Sequence, residues 1–385
     1  MKQIRLYTLT LFQILICVLL TQISIQSSYA HENERLYQFP DIPGYKTLLC
    51  DFHMHTVFSD GDVWPTIRVH EALKEGLDAI SITDHLEYQP HEKDIAHPDR
   101  NRSYQIALDA AQEHDLIIIN GAEITRDMPP GHANAIFLKD ANKLIKEDVF
   151  DVFREAKRQG AFIFWNHPHW IAHKPDGIAE LMEMHHQLIN DGLLDGIEIV
   201  NDVTYSNEAM QIALDQNLTI MGNSDIHGLV DWSYKLYKGG HRPLTLVFAE
   251  DKSEESIKEG LESGRTAVWF NESVIGKSEF LIPLIEHSLL VKRSYTMKSY
   301  TGESSVQAVE IENKSSTDYI LENLSDFSLH SHADVFTIKT HGTETVGVMT
   351  LKKMPEFELC FKVLNAVVAP NTHPEINLKI HVNDD

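Results

Sequence analysis

The chain has 385 residues, 43% of them hydrophobic, and a formal net charge of −24. That length suits one large domain and one small one. The negative charge argues against a dedicated nucleic-acid surface, which would show a basic stripe, but it permits a small phosphorylated substrate held by cations, because bound metal ions reverse the local field.

In chain order, the first segment reads as a leader. Lys2 and Arg5 form a basic region, Leu6 to Leu20 is largely apolar, and Ser28-Tyr29-Ala30 is a small-x-small cleavage site. The expectation is a signal peptide over residues 1–30 and an exported chain, periplasmic or secreted, that begins at His31. No later stretch is long and apolar enough to cross a bilayer. Cys50 and Cys360 are expected to be buried thiols rather than a disulfide, and no CxxC pattern points to a thiolate metal site.

From about residue 46 to 270, short apolar runs alternate with helical periodicity. The strand runs are 47–52, 79–83, 116–120, 134–138, 161–165, 196–200 and 218–222. Few polar residues interrupt them, as in strands buried on both faces of a parallel sheet. Helices are expected over 66–75, 100–114, 149–159, 178–190 and 207–216, with Gly76, Gly160 and Gly192 following three of them as caps. Seven such βα units form an α/β fold, a closed or nearly closed barrel. A surface helix over 254–262 and the run 266–270 follow. After about residue 276 the segments 306–312, 335–339, 345–350, 357–363 and 376–382 alternate apolar with polar, which predicts a small antiparallel β domain over 276–385.

Nine metal-ligand side chains stand in order along the first region: His53, His55, Asp60, His85, Glu123, His132, His167, Asp225 and His227. Eight lie at or just after strand ends, where the loops of an α/β barrel converge; His132 is the exception, lying just before a strand. Imidazoles and carboxylates in this number suit two or three divalent ions, zinc, manganese or iron, which activate water for hydrolysis. His330 and His332 repeat the HxH spacing without a matching strand-end carboxylate and read as surface histidines. His185 and His186 read as solvated helix residues, and His169 as a possible lining residue.

The motifs HMHTVFSDG, ITDH, GAEIT, GHANAIF, NHPHW and SDIH resemble, in order, those of the PHP (polymerase and histidinol phosphatase) family over residues 47–270. The resemblance implies a distorted seven-stranded (β/α) barrel spanning 31–275. It also implies hydrolysis of a phosphomonoester or small phosphodiester by a metal-bridged hydroxide. One metal would use His53, His55, Glu123 and Asp225, a second Asp60, His85 and His227, and a third Glu123, His132 and His167. Asp225 or His227 would relay the proton. Arg126, with Lys235 and Arg242 behind it, is the candidate grip on the substrate phosphate. The alternatives are an exonuclease-type phosphodiesterase, a metal-dependent amidohydrolase or lactonase, and a non-catalytic exported metal-binding protein.

Overall fold

The computed structural model describes residues 36–382 apart from 96, 300–304, 351 and 353. The expected leader lies outside the described residues. Among the described residues no helix is long and apolar enough to cross a membrane.

Each of the seven apolar runs forms a strand: β1 (Lys46–Asp51), β2 (Ala79–Ile82), β3 (Ile117–Ile124), β4 (Ala133–Ile136), β5 (Phe162–Trp165) and β6 (Gly196–Asn201), then, after the two-residue β7 (Thr204–Tyr205), β8 (Thr219–Asn223). Helices α1 (Pro65–Glu75), α2 (Arg102–Ala111), α3 (Val149–Gln159), α4 (Glu183–Asn190) and α5 (Asn207–Asp215) lie between them. Gly76 and Gly160 cap α1 and α3 in the left-handed conformation, at φ 78° and 89°, which glycine adopts without the Cβ penalty. The β1 side chains divide by parity. Leu48 and Cys50 join Ile119, Phe162, Phe164 and Met221 in one core cluster, while Leu49 joins another. Burial on both faces is why the run is continuously apolar.

The barrel is distorted in two ways. First, β4 runs antiparallel to both β3 and β5, because a loop rather than a crossover helix joins it to β3. Second, β8 ladders onto β6 alone, and it meets the other end of the barrel largely through side chains and one isolated bridge. Thr245 Oγ1 accepts from Gly222 N at 3.0 Å and donates to Gly222 O at 2.9 Å. Asn223 Oδ1 accepts from Phe52 N at 3.0 Å, and Met54 bridges Ile226 in parallel.

The strand run 244–249, absent from the seven expected strands, forms β9 (Leu244–Ala249), antiparallel to β1. It follows the short helix α6 (Val230–Tyr234). After α7 (Glu254–Glu262), β10 (Thr266–Phe270) and β11 (Ser273–Gly276) extend the sheet from β9 in antiparallel fashion. Helix α8 (Ser278–Ser288) then precedes the β domain; its apolar-rich sequence had not been read as helical.

The β domain packs two four-stranded sheets. One holds β12 (Leu289–Ser299), β13 (Ser305–Asn313), β17 (Thr343–Thr350) and β15 (Leu329–His330). The other holds β16 (Val335–Ile338), β14 (Tyr319–Asn323), β18 (Glu356–Val363) and β20 (Glu375–His381). In β20 exposed and buried residues alternate strictly, as in a sheet with one wetted face. β19 (Ala366–Val367) pairs in parallel with β11 and so joins this domain to the barrel sheet. Cys50 and Cys360 are both free thiols.

Candidate metal centre

The nine expected ligands meet at one mouth of the barrel, joined through shared carboxylates. Asp225 Oδ1 lies 3.1 Å from His53 Nε2 and 3.0 Å from His55 Nε2. Asp60 reaches His85 Nε2 at 3.4 Å, His227 Nε2 at 3.3 Å and His55 Nδ1 at 3.5 Å. Both oxygens of the buried Glu123 face the site. Oε1 lies 3.0 Å from His132 Nδ1, 3.5 Å from His167 Nε2 and 3.6 Å from His53 Nε2. Oε2 lies 2.8 Å from His85 Nδ1 and 3.4 Å from His55 Nε2.

His132, the exception in the sequence, is explained by strand direction. It precedes β4, and β4 is antiparallel to its neighbours, so its N-terminal end opens at the mouth where β3 and β5 end. His167 and Asp225 sit at φ 29° and 49°, a region that costs a residue with a Cβ about 1–3 kcal/mol and is concentrated at functional sites. The glycine of SDG is sterically required: a Cβ on Gly61 would lie 2.6 Å from the backbone of His55 and Thr56.

A second layer orients the ligands. His53 Nδ1 lies 2.9 Å from Glu198 Oε1; a carboxylate only accepts, so Nδ1 carries a proton and Nε2 is the atom left to face a cation. Glu198 also accepts from His167 N, Asn201 Nδ2 and Asn223 Nδ2. His227 Nδ1 donates to the Asp225 carbonyl at 2.8 Å, which frees its Nε2 in the same way. Asn166 Nδ2 donates to Glu123 Oε1 at 2.8 Å. Buried Arg68 donates to the carbonyls of His55, Ile226, His227 and Gly228, tying the His53–His55 segment to the Asp225–His227 segment. Asp84 accepts from Thr56 N, Thr56 Oγ1 and Ser59 Oγ and fixes the loop that bears Asp60. The sequence reading missed Glu198, Arg68 and Asp84; the one available signal was a charged residue inside or beside an apolar run.

The electrostatics are those of carboxylates among histidines. Burial would raise the pKa of Glu123, but His85 and His53 outweigh it and hold the carboxyl well below its ordinary range. Asp225 and Asp60 are depressed in the same way, by His53 and His55 in the first and by His227 and His85 in the second, against the cost of burial. Burial disfavours charge on His85, yet Glu123 and Asp60 push it up to about 10. His53 and His227 also rise against burial, through Asp225 and Glu198 for the first and Asp60 and Asp225 for the second. His55 goes the other way, to about 4, under burial and the neighbouring His85.

These residues fit divalent ions. His53 Nε2, His55 Nε2 and Glu123 Oε2 are buried polar atoms without a hydrogen-bond partner, a cost that coordination to a cation would remove. Ligand atoms converge within 4.8 Å in three groups: His53, His55 and Asp225; His55, Asp60, His85 and His227; and His85, Glu123 and His132. The second and third groups recruit His55 and His85 beyond the sets implied by the sequence resemblance, because His55 faces three carboxylates and His85 two.

The expected phosphate grip is corrected at Arg242. Arg242 is fully buried, donating to Asp51 at 2.9 Å and pairing with Glu75, so it braces the barrel and does not reach a substrate. Arg126 is anchored through Nη2, by Glu87 at 2.9 Å and the Lys146 carbonyl at 2.6 Å, while its buried Nε has no hydrogen-bond partner. Lys235 is exposed at the C-terminal cap of α6. His185 is buried against Trp165, with ring centroids 4.0 Å apart, and bonds the Pro130 carbonyl; only His186 is solvated. His169 bonds Thr204 Oγ1. In the β domain His332 pairs with Glu344 at 3.1 Å, and neither His330 nor His332 belongs to a converging ligand group among the described residues.

Comparison with known proteins agrees with this geometry. The PHP domain model matches residues 51–287, and an Ig-like domain model matches residues 294–379. A solved two-domain protein from Bacteroides vulgatus ATCC 8482, described as containing a predicted PHP-like metal-dependent phosphoesterase, is 41% identical. The alignment covers 89% of this chain and 98% of that one, with a TM-score of 0.82. An uncharacterized protein of Methanocaldococcus jannaschii is 37% identical over 82 residues, 21% of this chain; the match spans 34% of that protein's length. With a domain model spanning more than half its length and its candidate ligand motifs gathered at one barrel mouth, the chain belongs to the PHP domain family.

Proposed function

We propose that the chain is an exported metal-dependent phosphoesterase acting on a small phosphomonoester or phosphodiester. The observation that carries this reading is Glu123, a buried carboxylate with both oxygens presented to histidines on either side, an arrangement suited to bridging two cations. Two or three divalent ions, when bound, supply Lewis acidity that activates water and neutralises phosphate charge. The protein's own groups do the rest. His53, His55, Asp60, His85, Glu123, His132, His167, Asp225 and His227 hold the ions. Asp225, fixed by His53 O through its backbone N at 2.8 Å, accepts the proton lost by the attacking water. His227, with a side chain 38% exposed beside Asp60, passes that proton to solvent. Export rests on the basic, apolar and small-x-small pattern of residues 1–30.

Glu123→Ala is expected to lose both bound metal and turnover, measured by elemental analysis and hydrolysis of p-nitrophenyl phosphate. A variant that kept its metals and its rate would refute the assignment. Supplied with manganese, iron or zinc, the purified protein should cleave p-nitrophenyl phosphate or its bis-ester. Cleavage of a lactone or amide panel, with both esters untouched, would replace the phosphoesterase reading with an amidohydrolase one.

A further inference from the structure

We infer that the substrate's ester substituent presents a flat aromatic face, and that Trp170 is the residue that selects it. This rests on the phosphoesterase reading above. Trp170 stays 43% exposed although its ring lies against three histidines of the mouth. The centroids are 5.6 Å from His132, 5.2 Å from His167 and 4.7 Å from His173. A large exposed indole touching two candidate ligands is poorly explained by packing, and it is not loosely held. Its backbone N donates to the His167 carbonyl at 2.9 Å, and its carbonyl accepts from His173 N and Lys174 N. These bonds fix the backbone and the three flanking imidazoles confine the indole, which lowers the entropic cost of binding against it.

A second exposed aromatic flanks a neighbouring ligand, His85. Tyr88, 52% exposed, meets His85 edge-on at 5.7 Å, and His85 lies 5.5 Å from His132. A phosphate bound at the His85, Glu123 and His132 group would thus carry its substituent to within a ring's length of Trp170 or Tyr88.

The surrounding chemistry favours a π system over a polyol. A sugar would need several free donors and acceptors beside the ring. The loop that carries Trp170 offers Ile171, 71% exposed, the exposed Ala172, His169, whose Nε2 is already engaged with Thr204, and the single half-buried imidazole of His173, fewer polar groups than a polyol needs. Flat stacking is what this wall can provide. In the reaction, water adds to phosphorus and the P–O ester bond breaks. The proton released by the water goes through Asp225 to solvent, and the substituent leaves as its oxyanion with the bonding electron pair and takes a proton from solvent to become the alcohol.

The test is binding of non-hydrolysable phosphonates to the metal-loaded protein, measured by calorimetry and so independent of turnover. Phenylphosphonate should bind about tenfold more tightly than methylphosphonate. That advantage should vanish in Trp170→Ala and persist in Trp170→Phe. A nucleoside phosphonate run in parallel distinguishes a nucleobase from a simple aryl ring as the source of the π face. Equal affinity for the phenyl and methyl compounds, or an advantage that survives Trp170→Ala, would overturn the inference and leave the phosphoesterase reading standing. Failure of every phosphonate to bind would overturn the phosphoesterase reading itself.

Discussion

Glu198 shows how the site depends on residues that touch no substrate. Its carboxylate fixes the His53 tautomer and also gathers His167 N, Asn201 and Asn223. Outer partners of this kind are worth roughly 10–100-fold in metal affinity. Glu198→Ala should therefore weaken metal binding by about that factor, with Glu198→Gln in between, as read by chelator competition on protein whose far-UV circular dichroism is unchanged. Arg242 acts on stability instead. Arg242→Met would strand Asp51 and Glu75, both fully buried, and should cost about 3–5 kcal/mol in urea unfolding. The nine ligands were legible because histidine and carboxylate at strand ends are chemically distinctive. Glu198 and Arg242 were not, since a lone charge near an apolar run does not say which distant group it meets.

At the scale of elements, the seven strands followed from apolar continuity, but their directions did not. Hydrophobic pattern reports burial and is blind to whether a neighbour runs parallel, so β4 was expected to be parallel and is not. β9 was missed although its run is as apolar as the others, and α8 was hidden by the change of texture near residue 276. The seam between β8 and the opposite edge relies on Thr245 and on close approach at Gly222, where a Cβ would meet Val268 Cγ1 at 2.2 Å. Gly222→Ala should destabilise the protein by about 1–3 kcal/mol through overpacking, lowering its melting temperature. An unchanged melting temperature would show that the seam can relax.

For the whole molecule the charge pattern sets a pH response. In metal-free protein His53, His85 and His227 have raised pKa values. They contribute stability that is complete below the ordinary histidine value near 6.5 and is lost as pH rises through the folded value, about 10 for His85. The depressed carboxylates Asp60, Glu123 and Asp225 contribute stability that is lost only in strong acid, below their ordinary range. His55, lowered to about 4, works against the other histidines, and its contribution is lost as pH falls from about 6.5. Metal-free protein should therefore melt at a progressively lower temperature from pH 7 to 9.5. Manganese or zinc should raise the melting temperature more at pH 8.5 than at pH 6, because ligands must shed protons to bind. Equal stabilisation by metal at both pH values would contradict this account.

The sequence by itself determined the class of the fold and the nine candidate ligands in their order, because burial periodicity and metal-binding chemistry are local properties of the chain. Only the tertiary structure decided how those residues share carboxylates, why His132 faces the mouth, and that Arg242 is committed to Asp51 and Glu75. Those outcomes depend on strand direction and on contacts between residues as far apart as Asp51 and Arg242, which no local pattern encodes.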